Sequence, residues 1–154
     1  MDAITLLNND HRKVEKIFSD LEKGKGNRDQ LFRELKTELE VHAEIEEQLF
    51  YPAVRDAKQT HDIVVESFQE HAQVKKVLAD LDAADKQTEH WLAGVKVLME
   101  DVQHHVGEEE DEMFPKVKDK VLSREQLEDL GARMEAMKSQ RLAPIWAKAA
   151  VKGR

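Results

Sequence analysis

His42–Pro52 reads HAEIEEQLFYP, and sixty-three residues later His105–Pro115 reads HVGEEEDEMFP. Each copy is His-x-x-x-Glu-Glu, then a short apolar run, then Pro. Residues four apart share one face of a helix, so His42 stands beside Glu46 and His105 beside Glu109. One such pair alone would be an ordinary surface pair contributing about 0.2–0.5 kcal/mol. The apolar periodicity argues otherwise. Leu35 and Leu39 lead into His42 and Glu46, then Leu49; Trp91, Val95, Leu98 and Val102 lead into His105 and Glu109. Histidine and glutamate thus stand where the core-facing stripe asks for hydrophobes. Burying an ionised carboxylate costs several kcal/mol unless something compensates it, and no Lys or Arg punctuates either stripe at these levels. A metal cation is the simpler partner, since helical bundles assemble metal pairs from His and carboxylate side chains on facing helices.

Two more histidines fall in step. The first helix should run from an N-cap at Asp2 to the Gly24-Lys25-Gly26-Asn27 break, with Ile4, Leu7, Val14, Phe18 and Leu21 on one face and His11 in the missing position. The third, from about His61 to Asp82, carries Val64, Phe68, Leu78 and Leu81 with His71 in register. His11 lies about thirteen residues before its loop and His42 about fourteen after it, while Glu46 and His71 lie about eleven and ten residues from theirs. At about 1.5 Å rise per residue, antiparallel hairpins bring each pair to one level. His71 and His105 differ by a few residues from their turn, which loop length can absorb.

The second helix is expected from Asn27 or Asp29 to about Ala57 and the fourth from about Thr88 to near Lys120, each kinked or broken at Pro52 or Pro115. Ser123 followed by Gln126 is a capping box that opens a fifth helix, with Leu127, Leu130, Met134 and Met137 on one side. Arg141–Arg154, with Pro144 and Trp146, reads as a tail whose Trp packs on the bundle or on a partner. The fold class is therefore all-α: an up-down-up-down four-helix bundle over 1–122, and an additional C-terminal helix and tail over 123–154, packed on the bundle or extending from it.

Composition agrees. The 154 residues suit one substantial core, and 40% hydrophobic with 36% charged residues suits amphipathic helices, while three Pro and six Gly leave little material for β structure. A formal charge of -8 gives no electrostatic footprint for nucleic acid or an anionic membrane. With no Cys there is no disulfide framework, thiolate metal site or cysteine nucleophile. The polar start MDAITLLNNDHRKVEK contains neither a secretory signal nor a membrane span, so a soluble, cytoplasmic protein is expected. Nothing in the pattern selects an oligomeric state.

The candidate constellation is His11, His42, Glu46, His71, His105 and Glu109. Four imidazoles with two carboxylates suit octahedral iron or manganese better than four-coordinate structural zinc. Two divalent ions against two glutamates and a bridging hydroxide leave a nearly neutral core. Each Glu would bridge both ions, leaving positions open to oxygen, peroxide or nitric oxide. Beside these, Glu47 and Glu110 are angled for helix–helix hydrogen bonds, including to a ligand histidine's second nitrogen. His104 points about 100° from His105 and reads as solvated or as supporting a ligand, with metal contact the alternative, while His61 and His90 near helix starts read as surface residues. Tyr51 has Phe114 as its counterpart and reads as aromatic packing, with metal contact the alternative.

Over about residues 2–120, Asp10-His11, HAEIEEQLFYP, Glu70-His71 and HHVGEEEDEMFP resemble the hemerythrin-like HHE cation-binding domains. The resemblance implies a four-helix bundle with two iron ions in a non-haem, oxo- or hydroxo-bridged centre, the six residues as ligands, and Glu46 and Glu109 as bridging, catalytic carboxylates. Proteins of this kind carry oxygen, sense oxygen or iron, decompose peroxide, or act in nitric oxide stress and iron-centre repair. Oxygen-carrying hemerythrins have a second histidine one turn after the third-helix ligand, where this chain has Lys75. Their fourth-helix carboxylate is an Asp one residue further on, where this chain has Glu109 at the closer spacing. Repair-type members add a cysteine-containing domain. A lost histidine opens a coordination position, which favours catalase-like or related oxidoreductase chemistry on a small oxidant in oxidative or nitrosative stress. The alternative is an oxygen, nitric oxide or iron binding or sensing protein without turnover.

Overall fold

Side-chain caps and two left-handed glycines mark where the helices start and stop. Asp2 accepts from the Thr5 amide at 2.9 Å and opens α1 (Ala3–Glu22). Gly24 and Gly26, at φ 67° and 96°, turn the chain, a conformation that costs glycine little. Asn27 then accepts from the Gln30 amide at 3.0 Å and opens α2 (Arg28–Ile45), which runs on through a π turn (Glu46–Phe50) and a last α turn (Tyr51–Val54). Next comes α3 (His61–Ala83). Thr88 caps α4 (Glu89–Glu108), continued by a π turn (Glu109–Met113), a short α turn (Phe114–Lys116) and a second π turn (Val117–Val121). The Ser123/Gln126 capping box forms with both reciprocal bonds, at 3.1 and 2.8 Å, before α5 (Arg124–Lys152). The computed structural model describes the backbone of residues 1–152 and side chains through Lys148.

Helices α1 to α4 pack on their neighbours in sequence and α4 returns to α1, the closed ring of an up-down-up-down bundle; α5 lies across α1 and α2. Two apolar clusters form the core. One contains Val14, Phe18, Leu35, Leu78, Trp91 and Leu98. The other joins Leu7, Ile45, Phe50, Val64, Met113 and Phe114 to Leu127, Leu130, Met134 and Leu142 of α5. Between the two clusters lies a layer of buried His and Glu side chains.

Pro52 and Pro115 do not break their helices. Each is the second residue of the α turn that resumes after a π turn, and a first-turn position needs no proline N–H. The register change and the missing donor therefore coincide. The C-terminal region differs from the tail expected of it, because α5 continues through Pro144. Leu142 is buried in the core just before that proline, so packing holds the helix there. Trp146 is 57% exposed and belongs to neither apolar cluster among the described residues. The last two positions of the expected tail, 153–154, lie outside the described residues.

Candidate metal centre

All six expected residues meet in the polar layer. His11 comes from α1, His42 from α2 and Glu46 from the start of its π turn, His71 from α3, and His105 with Glu109 from the matching place on α4. Two buried groups of three result: His11, His42 and Glu109, and Glu46, His71 and His105, each with ligand atoms within 4.8 Å of one another. The two glutamates tie the groups together. Glu46 Oε1 lies 3.1 Å from both His42 Nε2 and His71 Nε2. Glu109 places Oε1 3.1 Å from His11 Nε2 and Oε2 3.6 Å from His105 Nε2.

The four imidazoles turn Nε2 inward because carboxylates stand behind Nδ1. Asp10 accepts from His42 Nδ1 at 3.0 Å, Glu110 from His11 Nδ1 at 2.7 Å, and Glu70 from His105 Nδ1 at 2.7 Å. Glu47 lies 3.5 Å from His71 Nδ1, the loosest of the four. Each carboxylate comes from the helix next to its histidine's, so the outer shell runs round the bundle from α1 to α2, α3, α4 and back. A carboxylate behind Nδ1 fixes the tautomer that leaves the Nε2 lone pair free for a metal. Glu110 was legible in this role, whereas Glu47 approaches His71 Nδ1 without forming the expected hydrogen bond. Asp10 and Glu70 were missed as partners, and their signal was the acid immediately before His11 and His71.

Electrostatics show a layer short of positive charge. Burial pushes the His42 imidazole down, yet Glu46 and Asp10 outweigh it and raise it to about 10. His105 behaves alike: burial lowers it, and Glu109, Glu46 and Glu70 carry it well above the usual range. Burial pushes Glu109 up, and the neighbouring Glu46 charge pushes it further. Glu46 itself, raised by burial, is held well below the usual carboxylate range first by His42. Both Glu46 oxygens and His42 Nε2 are buried with no hydrogen-bond partner. His42 Nε2 and Glu46 Oε1 are close but not aligned as a hydrogen bond. Leaving buried acceptors orphaned costs about 1–3 kcal/mol each, and a cation that accepts those lone pairs removes the cost. The donor set fits a metal.

Tyr51 corrects the expectation of plain packing. Its hydroxyl donates to Glu109 Oε2 at 2.7 Å and lies 3.3 Å from both His71 Nε2 and His105 Nε2. Burial, then Glu109 and Glu46, raise the phenol well above its ordinary range, so it keeps its proton. The counterpart, Phe114, stacks on His11 with ring centroids 6.0 Å apart. His104 is 67% exposed and pairs with Glu108 at 2.9 Å, forming an edge group with Glu70. His61 and His90 are exposed, as expected. A cavity of about 620 Å³ reaches the layer, walled by Val14, Leu39, Phe68 and Val102 and lined also by Lys75.

The sequence pattern that defines the Hemerythrin HHE cation binding domain matches residues 2–117. The chain belongs to the hemerythrin HHE cation-binding family. Metal binding by the HHE domain thus joins the two buried His/Glu groups as the basis for its function. A crystal structure of an HHE cation binding domain-containing protein from Mycobacterium kansasii superposes with a TM-score of 0.82 at 26% identity, covering 100% of this chain and 95% of that one. A protein of Nostoc sp. named DNA nickase is 28% identical over 142 residues, which are 91% of this chain and 40% of that protein. The chain therefore spans less than half of that relative. Among the described residues of this HHE domain, no helix is long and apolar enough to cross a membrane.

Proposed function

We propose that this HHE domain holds two iron ions and decomposes peroxide in a catalase-like reaction, with His11, His42, Glu46, His71, His105 and Glu109 as ligands. One observation carries the reading: two buried three-residue groups share Glu46 and Glu109, with orphaned lone pairs on His42 and Glu46. Four imidazole nitrogens and two carboxylates are the donor set of octahedral iron or manganese. When bound, such a pair supplies open coordination positions and two electrons for peroxide disproportionation, in which two hydrogen peroxide give two water and one oxygen.

The chain's own residues do the rest. Glu46 and Glu109 span the two groups and supply the negative charge that offsets two cations. Asp10, Glu70 and Glu110 orient their imidazoles through Nδ1. The Tyr51 hydroxyl holds a proton at Glu109 Oε2, within the layer where an O–O bond would break, and so serves as the local donor. Val14, Leu39, Phe68 and Val102 keep the approach apolar. Lys75, where oxygen carriers have a histidine, leaves that side of the layer open to the cavity. The name DNA nickase belongs to a protein of which this chain spans 40%, and the formal charge of -8 gives no phosphate-binding face. No nucleic-acid partner is proposed.

Elemental mass spectrometry of the purified chain, with oxygen release followed on peroxide addition, tests the reading. About two irons per chain with sustained oxygen release is the expected result. Two irons with a stoichiometric spectral change and no release would make the chain a binding or sensing protein for peroxide, oxygen or nitric oxide. A chain that takes up no iron after anaerobic loading would overturn both.

A further inference from the structure

The four carboxylates behind the histidines are not alike. Asp10, behind His42, accepts from the Lys138 ammonium of α5, and Glu110, behind His11, is clasped by the Arg12 guanidinium. On the His11, His42 and Glu109 half, each outer carboxylate is matched by a cation. The other half is different. Glu70, behind His105, has Glu108 and the exposed His104 as its polar neighbours, with His104 Nε2 3.8 Å from Glu70 Oε2. Glu108 keeps one oxygen buried without a partner. Glu47, behind His71, forms no ion pair with a Lys or Arg; among the described residues none does with Glu47, Glu70 or Glu108. Lys75 lines the cavity in solvent and pairs with none of them. Counting Lys and Arg alone, the outer charge is thus Asp10, Glu110 and Glu15, which shares Arg12 at 3.4 Å, against two cations on one half, and Glu47, Glu70 and Glu108 against none on the other.

Two physical effects act in the same direction and outweigh the looser seating of His71, whose Nδ1 lies 3.5 Å from Glu47 without a hydrogen bond. Lys138 and Arg12 repel a metal cation on their half. Asp10 and Glu110, already paired, accept less strongly from Nδ1 and leave His42 and His11 weaker donors. We propose that the two half-sites hold their ions unequally: the ion at Glu46, His71 and His105 is taken first and lost last, and Lys138 and Arg12 make the ion at His11, His42 and Glu109 the labile one. The inference rests on the two-ion reading above.

The test uses the full chain loaded with Zn²⁺, a redox-inert probe, and challenged with a chromogenic chelator. Release in two phases is expected, with the ion remaining after the first phase found at Glu46, His71 and His105 by anomalous diffraction of half-depleted crystals. Lys138→Gln and Arg12→Gln should each slow the first phase on the order of thirty-fold, from a unit charge acting on a divalent ion at roughly 8 Å in an effective dielectric of about 40. Lys138→Arg should leave it unchanged. Arg12 is solvent-exposed, so its variant keeps the test open if Lys138→Gln unfolds. Glu70→Gln should hasten the second phase while sparing the first. Single-phase release of two ions, a residual ion on the His11 and His42 side, or faster first-phase release in Arg12→Gln would overturn this inference alone. Loading with fewer than two ions would overturn the two-ion reading itself.

Discussion

Tyr51 and Phe114 hold equivalent places in the two repeats, yet only Tyr51 brings a hydroxyl to the layer. Tyr51→Phe removes the 2.7 Å bond to Glu109 and leaves the ring. Metal content should stay at the parental level while peroxide turnover falls about 10²-fold, the usual contribution of a positioned proton donor; unchanged turnover would limit Tyr51 to packing. Glu46→Gln keeps shape but removes the charge shared by both groups, so the purified variant should lose most of its metal by elemental analysis. Full occupancy would show that Glu46 does not bridge. The residue pattern made these positions unequally legible. Four of the six inward residues follow from a four-residue spacing that any helix obeys, and His11 and His71 from their slots in the apolar stripes. Tyr51 does not, because a residue five after Glu46 lies about 140° away at 3.6 residues per turn. The π turn, closed from the Tyr51 amide to the Glu46 carbonyl, brings it back toward the layer. Asp10 and Glu70 sit about 100° from their adjoining histidines, and only the hand of the bundle decides which neighbouring histidine each one reaches.

At the scale of elements, the capping residues and loop arithmetic located α1 to α4 because those signals are local. The course of α5 was not local. Its continuation past Pro144 depends on Leu142 reaching a core built by other helices, and its docking depends on Gly131. A Cβ there would meet the Met1 carbonyl oxygen and lie 2.7 Å from the Ala3 nitrogen and the Asp2 carbonyl carbon. Two effects compete in Gly131→Ala. Helix propensity favours alanine by about 1 kcal/mol, while overpacking against unyielding backbone costs about 1–3 kcal/mol. The contacts are with backbone of the helix start rather than with a flexible side-chain end, so the second effect should win. The variant's melting temperature should drop by several degrees, at about 2–4 °C per kcal/mol; a rise would mean that α5 shifts freely on α1. Since Lys138 rides on the same helix, a loosened α5 should also free Asp10.

On the scale of the whole molecule, the core is two apolar clusters divided by a charged layer, so the bundle's cohesion depends on what fills that layer. Without cations, Glu46 and Glu109 share a buried layer, relieved by the Tyr51 hydroxyl on Glu109 and by protons drawn onto His42, His71 and His105. A ligand that binds only the folded chain stabilises it by about 4 kcal/mol at a thousandfold excess over Kd. For a chain of this length, chelation should therefore lower the melting temperature on the order of 10 °C. The same chelator should leave the melting temperature of Glu46→Gln nearly unmoved, since that variant holds little metal to lose. That pairing separates stabilisation by the ions from any direct effect of the chelator. Equal melting of loaded and chelated parental chain would mean that proton transfer within the layer already compensates the two carboxylates, and that the metal serves chemistry without serving the fold.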